Sequence, residues 1–573
     1  MSKIIIVGGV AGGASAAARL RRLDEKAEII MFERGEFISF ANCGLPYYIG
    51  GEIQEEEDLT LQTPEGFNRR FRVDVRVREE VIRIDKEKKV VLVKKLTTNK
   101  EYEESYDKLI LSPGSSPRKP NILGVENPKV FTLRNIPDTI KIKNFIEQEA
   151  VKDAVIVGGG YIGVEMAENL FAAGLNVTIV EFAKHVINSI DFDMAGDVHN
   201  HIRSKGVNLI LEDGVKEIRE EGNKLRLILG KEELTTDMVI MSVGVYPESK
   251  LATLAGLKTN QQGAIIVDSN MQTSDKDIYA VGDAIQIKDY IYGNDDYIPL
   301  AGPANKQGRI AADNIAGIPS KYNGTQGTGI LKCFDLTVAS TGISEEKAKR
   351  LNIDYVKSHT YSASHATYYP GASNMSMKLI YQKDGKLIGA QIVGFEGVDK
   401  RIDVLATAIR ANMTVYDLTT LELAYAPPYS SAKDPVNMAG FVAENILTDK
   451  VKVVYPEDLN ELRKDEDAIF LDIRTESEYD NGTIPGFWNI TLDELRENLD
   501  KLDKTKPIYV TCQVGLRGYL GSRILKSNGF DAYNLSGGYR LYNSMYPDSY
   551  YVSEESKEDN LVKAANIATD NRN

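Results

Sequence analysis

Residues Asp153 to Glu181 read DAVIVGGGYIGVEMAENLFAAGLNVTIVE. The apolar run ending at Val157 predicts a buried strand, and Gly158-x-Gly160-x-x-Gly163, with Tyr161 among the cofactor-binding positions, predicts the turn that carries it into a helix. A second apolar strand follows and ends on the acid Glu181. Each glycine has a job in such a unit: one makes the tight turn, one lets backbone approach a pyrophosphate, and one lets helix and strand touch. Amides at the helix N-terminus then face the phosphates, and the acid accepts from ribose hydroxyls. Strand, turn, helix, strand and acid in that order predict a dinucleotide-binding α/β unit. Glu181 repels a 2′-phosphate and so favours NADH, while Lys184 nearby leaves NADPH open.

The same grammar occurs at the N-terminus. Ile4–Val7 is a strand run, GGVAGGASAAARLRRL turns into an Ala-rich helix, and AEIIMFER is a second strand ending in Glu33. Gly8, Gly9, Ala11, Gly12 and Gly13 form the turn, although Val10 stands where the middle glycine of G-x-G-x-x-G belongs. This glycine pattern has no use in a signal peptide, so the N-terminus is expected to stay in the mature chain.

Bulk properties narrow the function. At 573 residues and 63.5 kDa, the chain exceeds one hydrophobic core. A net charge of −14 and a pI near 5.2 argue against nucleic acid as the main ligand, because phosphate binding needs a basic field. Three widely separated cysteines cannot build a disulfide framework, which favours a reducing cytoplasm. No segment has the length of uncharged apolar sequence that spans a membrane, and no metal site is expected.

Two dinucleotide units in one chain suggest a tightly held flavin and an exchangeable nicotinamide. TSDKDIYAVGDA (273–284) fits this, because a strand ending in Gly282-Asp283 can place a carboxylate on a flavin's ribityl chain. Together with LILSPGSSP (109–117) and MSVGVYPE (241–248), the array resembles the flavin disulfide reductase family, the glutathione reductase-like two-dinucleotide flavoproteins. The resemblance covers about residues 1 to 445. It implies FAD at the first unit and adds Arg34, Pro113, Gly114, Gly244 and Ala301 to the cofactor-binding positions.

Many members of that family carry a C-x4-C pair. Here the segment SFANCGLPYY (39–48) has Cys43 alone. A nearby flavin and backbone dipoles are expected to favour its thiolate, the reactive form. Without a resolving thiol, its oxidised state is a sulfenic acid or a mixed disulfide with a substrate thiol. NADH peroxidases and oxidases of the single-cysteine branch use the sulfenic acid with a histidine beside the first glycine turn, where this chain has Val10-Ala11-Gly12. CoA-disulfide reductases lack that histidine and share the S-F-x-N-C-G-x-P-Y-Y segment. Resemblance to this subfamily implies a coenzyme A site formed by Ser15, Arg19 and Arg22 on one face of the first helix, by Ser39 and Asn42 beside the thiol, and by Asn305 and Lys433. A further basic residue is expected among Arg69, Arg70 and Arg72, with Arg72 preferred. ELAYAPPYSSAKDP (422–435) matches the subfamily segment whose tyrosine reaches the partner subunit's flavin and thiol, which implies a homodimer and makes Tyr425 the expected proton donor. SHATYYPG (364–371) offers a second tyrosine, Tyr368 for catalysis or Tyr369 for substrate, with the register open. Cys333 is expected to be an inert core thiol.

After residue 447 the pattern restarts. In KPIYVTCQVGLRGYLGSRILKSNGF a strand leads into Cys512-x4-Arg517 and a helix, which places a thiolate over a ring of amides. Such a loop can hold a persulfide anion, and it is one residue shorter than the C-x5-R phosphate loop of tyrosine phosphatases. LDIRTESEY, GTIPGFWNI and GGY make the segment similar to the rhodanese family, with Thr483 where many members have histidine.

The expected architecture is α/β: two Rossmann-like domains for FAD (1–150 and 245–325) and NAD(P)H (151–244), an α+β dimerisation domain (326–447), a rhodanese-like α/β domain (448–550) and a polar tail (551–573). The expected activity is NAD(P)H-dependent reduction of CoA disulfide, CoA persulfide or polysulfide through Cys43, with Cys512 handling sulfane sulfur. A peroxide-reducing enzyme or a low-turnover flavin redox sensor is the alternative.

Overall fold

The computed structural model describes residues 2–547, so the expected polar tail lies outside the described residues. The described residues divide into two compact units: 2–182 with 210–327, and 183–209 with 328–547.

The first unit contains a parallel sheet in the order Ile278–Ala280, Lys108–Leu111, Lys3–Val7, Glu28–Glu33, Asp74–Val77. Ile5 pairs with Ile30 on one side and Leu109 on the other. Ile4, Ile5 and Ile6 are all buried, as an uninterrupted β-branched run at the centre of a doubly covered sheet must be. The helix Ala11–Leu23 is rich in glycine and alanine because another helix, Ala301–Ile315, lies directly against it. A Cβ on Gly308 would come within 2.2 Å of the Gly12 carbonyl oxygen.

A second parallel set runs Asn176–Val180, Asp153–Val157, Met238–Met241, Val130–Phe131, with the helix Tyr161–Ala172 after its central strand. Antiparallel three-stranded sheets accompany each set, at residues 79–105 and 217–236. The two crossing segments read from the sequence meet as one ribbon, in which Ser115–Pro117 pairs antiparallel with Val245–Pro247.

The second unit combines two sheets. One is antiparallel, in the order Gly329–Cys333, Leu336–Gly342, Leu387–Gly394, Asn374–Tyr381, Val356–Ala363, backed by the helices Val398–Arg410 and Pro435–Leu447. The other is parallel, in the order Lys452–Val454, Ala532–Leu535, Ile508–Thr511, Ile469–Asp472, Trp488–Asn489. The helix Phe192–Ser204, from the segment expected in the nicotinamide domain, packs in this unit against the helix Gly538–Met545. Architecture thus agrees with the α/β class expected, including the α+β sheet and the C-terminal parallel sheet. Among the described residues no helix is long and apolar enough to cross a membrane.

Candidate active site

Both glycine loops have the shape a dinucleotide requires. Gly8 takes φ +99°, and a Cβ there would sit 2.1 Å from the Ser112 carbonyl oxygen. A Cβ on Gly13 would lie 1.9 Å from Gly8 O, so only glycine lets this helix start against the strand. The second loop repeats these constraints: Gly158 has φ +105°, and a Cβ on Gly163 would lie 1.9 Å from Gly158 O. At Gly160 a Cβ would meet nothing within 4 Å, which leaves the open approach that a pyrophosphate needs. Val10 has φ −102°, an ordinary value, which explains why a side chain is tolerated where the first motif lacks its middle glycine. The acids occupy equivalent places. Gly9 N–H donates to Glu33 Oε2 at 2.9 Å, and Gly159 N–H donates to Glu181 Oε2 at 2.6 Å. These features fit two dinucleotides.

Other expected cofactor positions gather in the same unit. Gly114 (φ +75°) and Gly244 (φ +94°) begin the crossing ribbon after Pro113 and Ser242. Arg34 is exposed and pairs with Glu248 at 3.1 Å. Gly282 N–H donates to Gln307 Oε1, and Ala301 opens the helix that supplies Gln307. Burial raises the Asp283 carboxyl against the pull of Arg134 and the Ser115 hydroxyl.

Cys43 lies in the short 3-10 turn Asn42–Gly44, exposed and unbridged. Ser39 reaches the first glycine loop, its N–H donating to Gly9 O at 2.8 Å with φ +47°. The next helix, Leu45–Ile49, packs against Tyr161–Ala172 so tightly that a Cβ on Gly50 would meet Asn169 Oδ1 at 2.3 Å. That helix carries Glu165, which burial and then Glu168 push up to about 7. Partial enclosure, then the charges of Glu165 and Asp283, raise the Cys43 pKa, so the protein's own groups disfavour the thiolate.

The expected coenzyme A positions differ in what already engages them. Ser15 donates its hydroxyl to Asn305, joining two of them. Arg19 is already committed, its Nε donating to buried Asp313 at 2.7 Å. Arg22 and Arg72 are exposed, with Arg72 left-handed (φ +48°) at the end of the helix Pro64–Phe71. Arg21, not anticipated, is the residue that fixes this corner: it is buried and donates to the carbonyls of Phe71, Arg72, Asp24 and Glu25. Asn42 is likewise engaged. With its amide oriented to satisfy both atoms, it donates to Arg134 O and accepts from Arg134 Nη1, each at 3.0 Å. Arg134 also donates to Ser115 O at 2.6 Å, so it ties the cysteine turn to the crossing ribbon. It lies 92 residues from Asn42 and no local spacing announces it.

In the second unit, the hydroxyls of Tyr368 and Tyr425 meet at 2.9 Å and both rings are exposed. Tyr368 is therefore the residue paired with Tyr425, and its hydroxyl is raised by that bond. Tyr369 instead sets its ring edge-on to His365, 5.7 Å away. Lys433 is exposed. A residue missed in sequence, Arg401, organises the pair: fully buried, it binds Asp434, Ser364 O, Tyr429 O and the Ser430 hydroxyl, clamping both tyrosine loops. A cavity of about 440 Å³ opens beside Tyr425 and Tyr429. All five histidines belong to this unit, and Cys43 belongs to the other.

Cys512 follows the strand Ile508–Thr511 and precedes the helix Leu516–Ser527. Gly515 (φ +103°) turns its N–H onto Sγ at 3.1 Å. The Gly537–Gly538 turn clamps the loop from behind, where Tyr539 N–H donates to Cys512 O and Arg540 N–H to Gln513 O. Arg517 forks onto Glu478 at 2.7 and 2.6 Å, which holds that carboxyl down at about 2. Thr483 supplies the hydroxyl that donates to Asp472 Oδ2 at 3.0 Å. Cys333 is buried, in keeping with the core position expected for it.

Two glycine cradles within one unit, each closed by an acid on the following strand, are the arrangement of an enzyme that passes electrons between two dinucleotides. Comparison with known proteins agrees. Residues 2–308 match the pyridine nucleotide-disulphide oxidoreductase model, 330–435 its dimerisation domain and 455–545 the rhodanese-like domain. The coenzyme A disulfide reductase of Staphylococcus epidermidis is 40% identical over 446 residues, spanning 78% of this chain and 100% of that protein. The structure of reduced Bacillus anthracis CoADR-RHD is 51% identical with a TM-score of 0.93, covering 96% of this chain and 99% of that one. A NAD-dependent persulfide reductase from A. fulgidus is 38% identical with a TM-score of 0.88, covering 94% and 100%. The chain belongs to the pyridine nucleotide-disulphide oxidoreductase family, whose cofactors are FAD and NAD(P)H, and it carries a C-terminal rhodanese-like domain.

Proposed function

We propose that this protein reduces the sulfur–sulfur bond of CoA disulfide, CoA persulfide or polysulfide with NAD(P)H, using Cys43 as its single redox thiol. The observation that carries this reading is the isolation of Cys43. It is exposed and unbridged, and the next cysteine in the chain is Cys333, which supports an oxidised linkage whose other half is the substrate's own sulfur. The names of the staphylococcal and archaeal relatives support the substrate class. A lone reactive thiol also suits a reducing cytoplasm.

The Cys43 thiolate attacks one sulfur of the substrate and forms a mixed disulfide, while the electron pair of the broken bond leaves on the other sulfur. Tyr425, paired with Tyr368 and contributed by the partner of a homodimer, donates the proton that this leaving sulfur takes up. Because Arg401 fixes both tyrosine loops, the donor arrives already oriented. The first glycine loop with Glu33 and Asp283 would hold FAD, and the second loop with Glu181 would hold NAD(P)H; bound there, they would supply the two electrons that return the linkage to thiols. Glu181 at the second loop favours NADH. Ser15, Asn305 and the exposed Arg22 and Arg72 are proposed to receive coenzyme A, with Lys433 contributed by the partner. Cys512, over its amide loop, takes up sulfane sulfur and presents it for reduction.

The test is NADH consumption with CoA disulfide, CoA persulfide, polysulfide and hydrogen peroxide side by side. Saturable turnover with at least one sulfur substrate and none with peroxide is expected. Turnover with peroxide alone would replace this reading by a sulfenic acid enzyme, and one reduction without turnover by a redox sensor.

A further inference from the structure

The loop that carries Cys512 is anchored from behind by one short helix. Two of its carbonyls, Cys512 O and Gln513 O, accept from Tyr539 N–H at 2.7 Å and Arg540 N–H at 2.9 Å. Both donors lie in the first turn of the helix Gly538–Met545, where N–H groups have no partner within the helix. A Cβ on Gly538 would stand 2.3 Å from Cys512 O, so helix start and loop are in direct contact. In a trans peptide the N–H points away from the carbonyl. Drawing these two carbonyls onto the helix therefore turns the Gln513 and Val514 N–H groups to the opposite side of the loop. Gly515 N–H, next along, meets Sγ at 3.1 Å. How well the loop faces a sulfur anion thus depends on where this helix sits.

The helix is itself held by residues far from it in the chain. Ser544 Oγ donates to Asp197 Oδ1 at 2.8 Å, and Ser376 Oγ donates to Asp197 Oδ2 at 2.5 Å. The Arg540 guanidinium lies 4.0 Å from the same carboxylate and over the Tyr361 ring. Asp197 belongs to the helix Phe192–Ser204, and Ser376 and Tyr361 belong to the antiparallel sheet. The two helices approach so closely that a Cβ on Gly196 would meet Ser544 O at 2.5 Å. Asp193, one turn earlier on the same face, reaches Ser536 through His359. It also belongs to the ion cluster around Lys378, so Asp197 is the brace that can be removed separately.

We propose that Asp197, held by Ser376 and bonded to Ser544, is a positioning residue for the Cys512 loop. The amides that face the sulfur are then set from the antiparallel sheet and the helix Phe192–Ser204, not by the C-terminal parallel sheet alone. This rests on the reading of Cys512 as a sulfane-sulfur acceptor. In that step the Cys512 thiolate attacks the terminal sulfur of a polysulfide. The adjoining S–S bond breaks with its electron pair leaving on the shortened polysulfide, and Cys512 becomes a persulfide anion. Displaced amides would leave the charge of that anion, and of the transition state before it, less stabilised.

The experiment uses the full-length FAD-loaded protein without NADH, with inorganic polysulfide as the probe. The rate at which the Cys512 peptide gains one sulfur atom is followed by mass spectrometry. Asp197→Ala and Ser544→Ala are each expected to slow loading about tenfold, and the double variant no further, because both break one contact. Asp197→Asn keeps an acceptor for Ser544 and is expected to load within about twofold of wild type. Trp488 emission and CoA disulfide turnover through Cys43 are expected to stay at wild-type level in every variant, which separates a displaced loop from an unfolded domain. Wild-type loading by both alanine variants would overturn the inference, as would a further loss in the double variant or Asp197→Asn loading as slowly as Asp197→Ala. Failure of the wild type to load would refute the acceptor reading, and the inference with it.

Discussion

Replacing Lys378 by methionine tests how the second unit is held together. Lys378 is fully buried, and its Nζ lies 2.9 and 2.7 Å from the two Asp193 oxygens, 2.8 Å from Glu345 Oε2 and 2.9 Å from Asp191 Oδ2. Lys357 also binds Glu345 and reaches Glu457 of the C-terminal domain, and His359 bridges Asp193 to Ser536, which precedes the turn that clamps the Cys512 loop. Burial alone would raise the Asp193 carboxyl, yet Lys378, His359 and Lys357 hold it well below its usual range, and Glu345 is lowered in the same way. Methionine fills the space but leaves three carboxylates around a hole without its cation. Removing one partner from a buried ion cluster costs about 3–5 kcal/mol, a large share of the roughly 5–15 kcal/mol of a typical domain. The urea midpoint should fall by about 1 M or more. Trp488, the chain's single tryptophan, lies in the C-terminal domain and reports the transition by fluorescence. The pH dependence has a definite sign. Carboxyls depressed in the folded state contribute stability above their unfolded value near about 4, and lose it as pH falls through the folded values. The variant lacks most of that contribution, so its deficit should hold from neutral pH down to about 4 and shrink only below that, as pH falls through the folded values. A midpoint within about 0.2 M of wild type, or a deficit that grows on acidification, would refute the assignment of this cluster as the tie.

Glu165→Gln should lower the Cys43 pKa and speed its alkylation by iodoacetamide above pH 7 about two- to threefold, because Glu165 titrates at about 7 and its ionised form opposes the thiolate. An unchanged alkylation profile would show that the carboxylate does not reach the thiol. Gly163→Ala forces a Cβ to within 1.9 Å of Gly158 O in the second loop only, so it should raise the KM for NADH while FAD content, measured by absorbance, stays at wild-type level. Tyr425→Phe should lower kcat about 100-fold as a lost proton donor. Arg401→Gln should approach the same kcat with Tyr425 intact, because both tyrosine loops lose their clamp.

What the sequence disclosed was governed by range. The glycine loops and the Cys512-x4-Arg517 loop are built from consecutive residues whose spacing is itself the geometry, so they are legible directly, whereas the crossing strands, which pair residues 115–117 with 245–247, are legible only through the family resemblance. Arg134 with Asn42, Arg19 with Asp313 and Arg401 with Ser364 and Ser430 join residues far apart in the chain, and no spacing rule reaches across them. Arg19 shows the cost. Its place on a helix face beside Ser15 and Arg22 suggested a phosphate ligand, while its carboxylate partner came from a helix 294 positions further along the chain. For the Cys43 thiol, the flavin expected beside it favours the thiolate, whereas the protein's own contribution is opposite in sign: it comes first from partial enclosure and then from Glu165 and Asp283, none of which is visible until the chain is packed.

We propose that Cys43 alone reduces the sulfur–sulfur bond and that Cys512 acts only as a supplier of sulfane sulfur. Steady-state NADH oxidation by Cys43→Ser and Cys512→Ser, each with CoA disulfide and with polysulfide, tests it directly. Cys43→Ser is expected to abolish turnover of both, while Cys512→Ser is expected to keep CoA disulfide turnover and lose most of the polysulfide rate. Equal loss of both activities in Cys512→Ser, or persistent CoA disulfide reduction in Cys43→Ser, would contradict it.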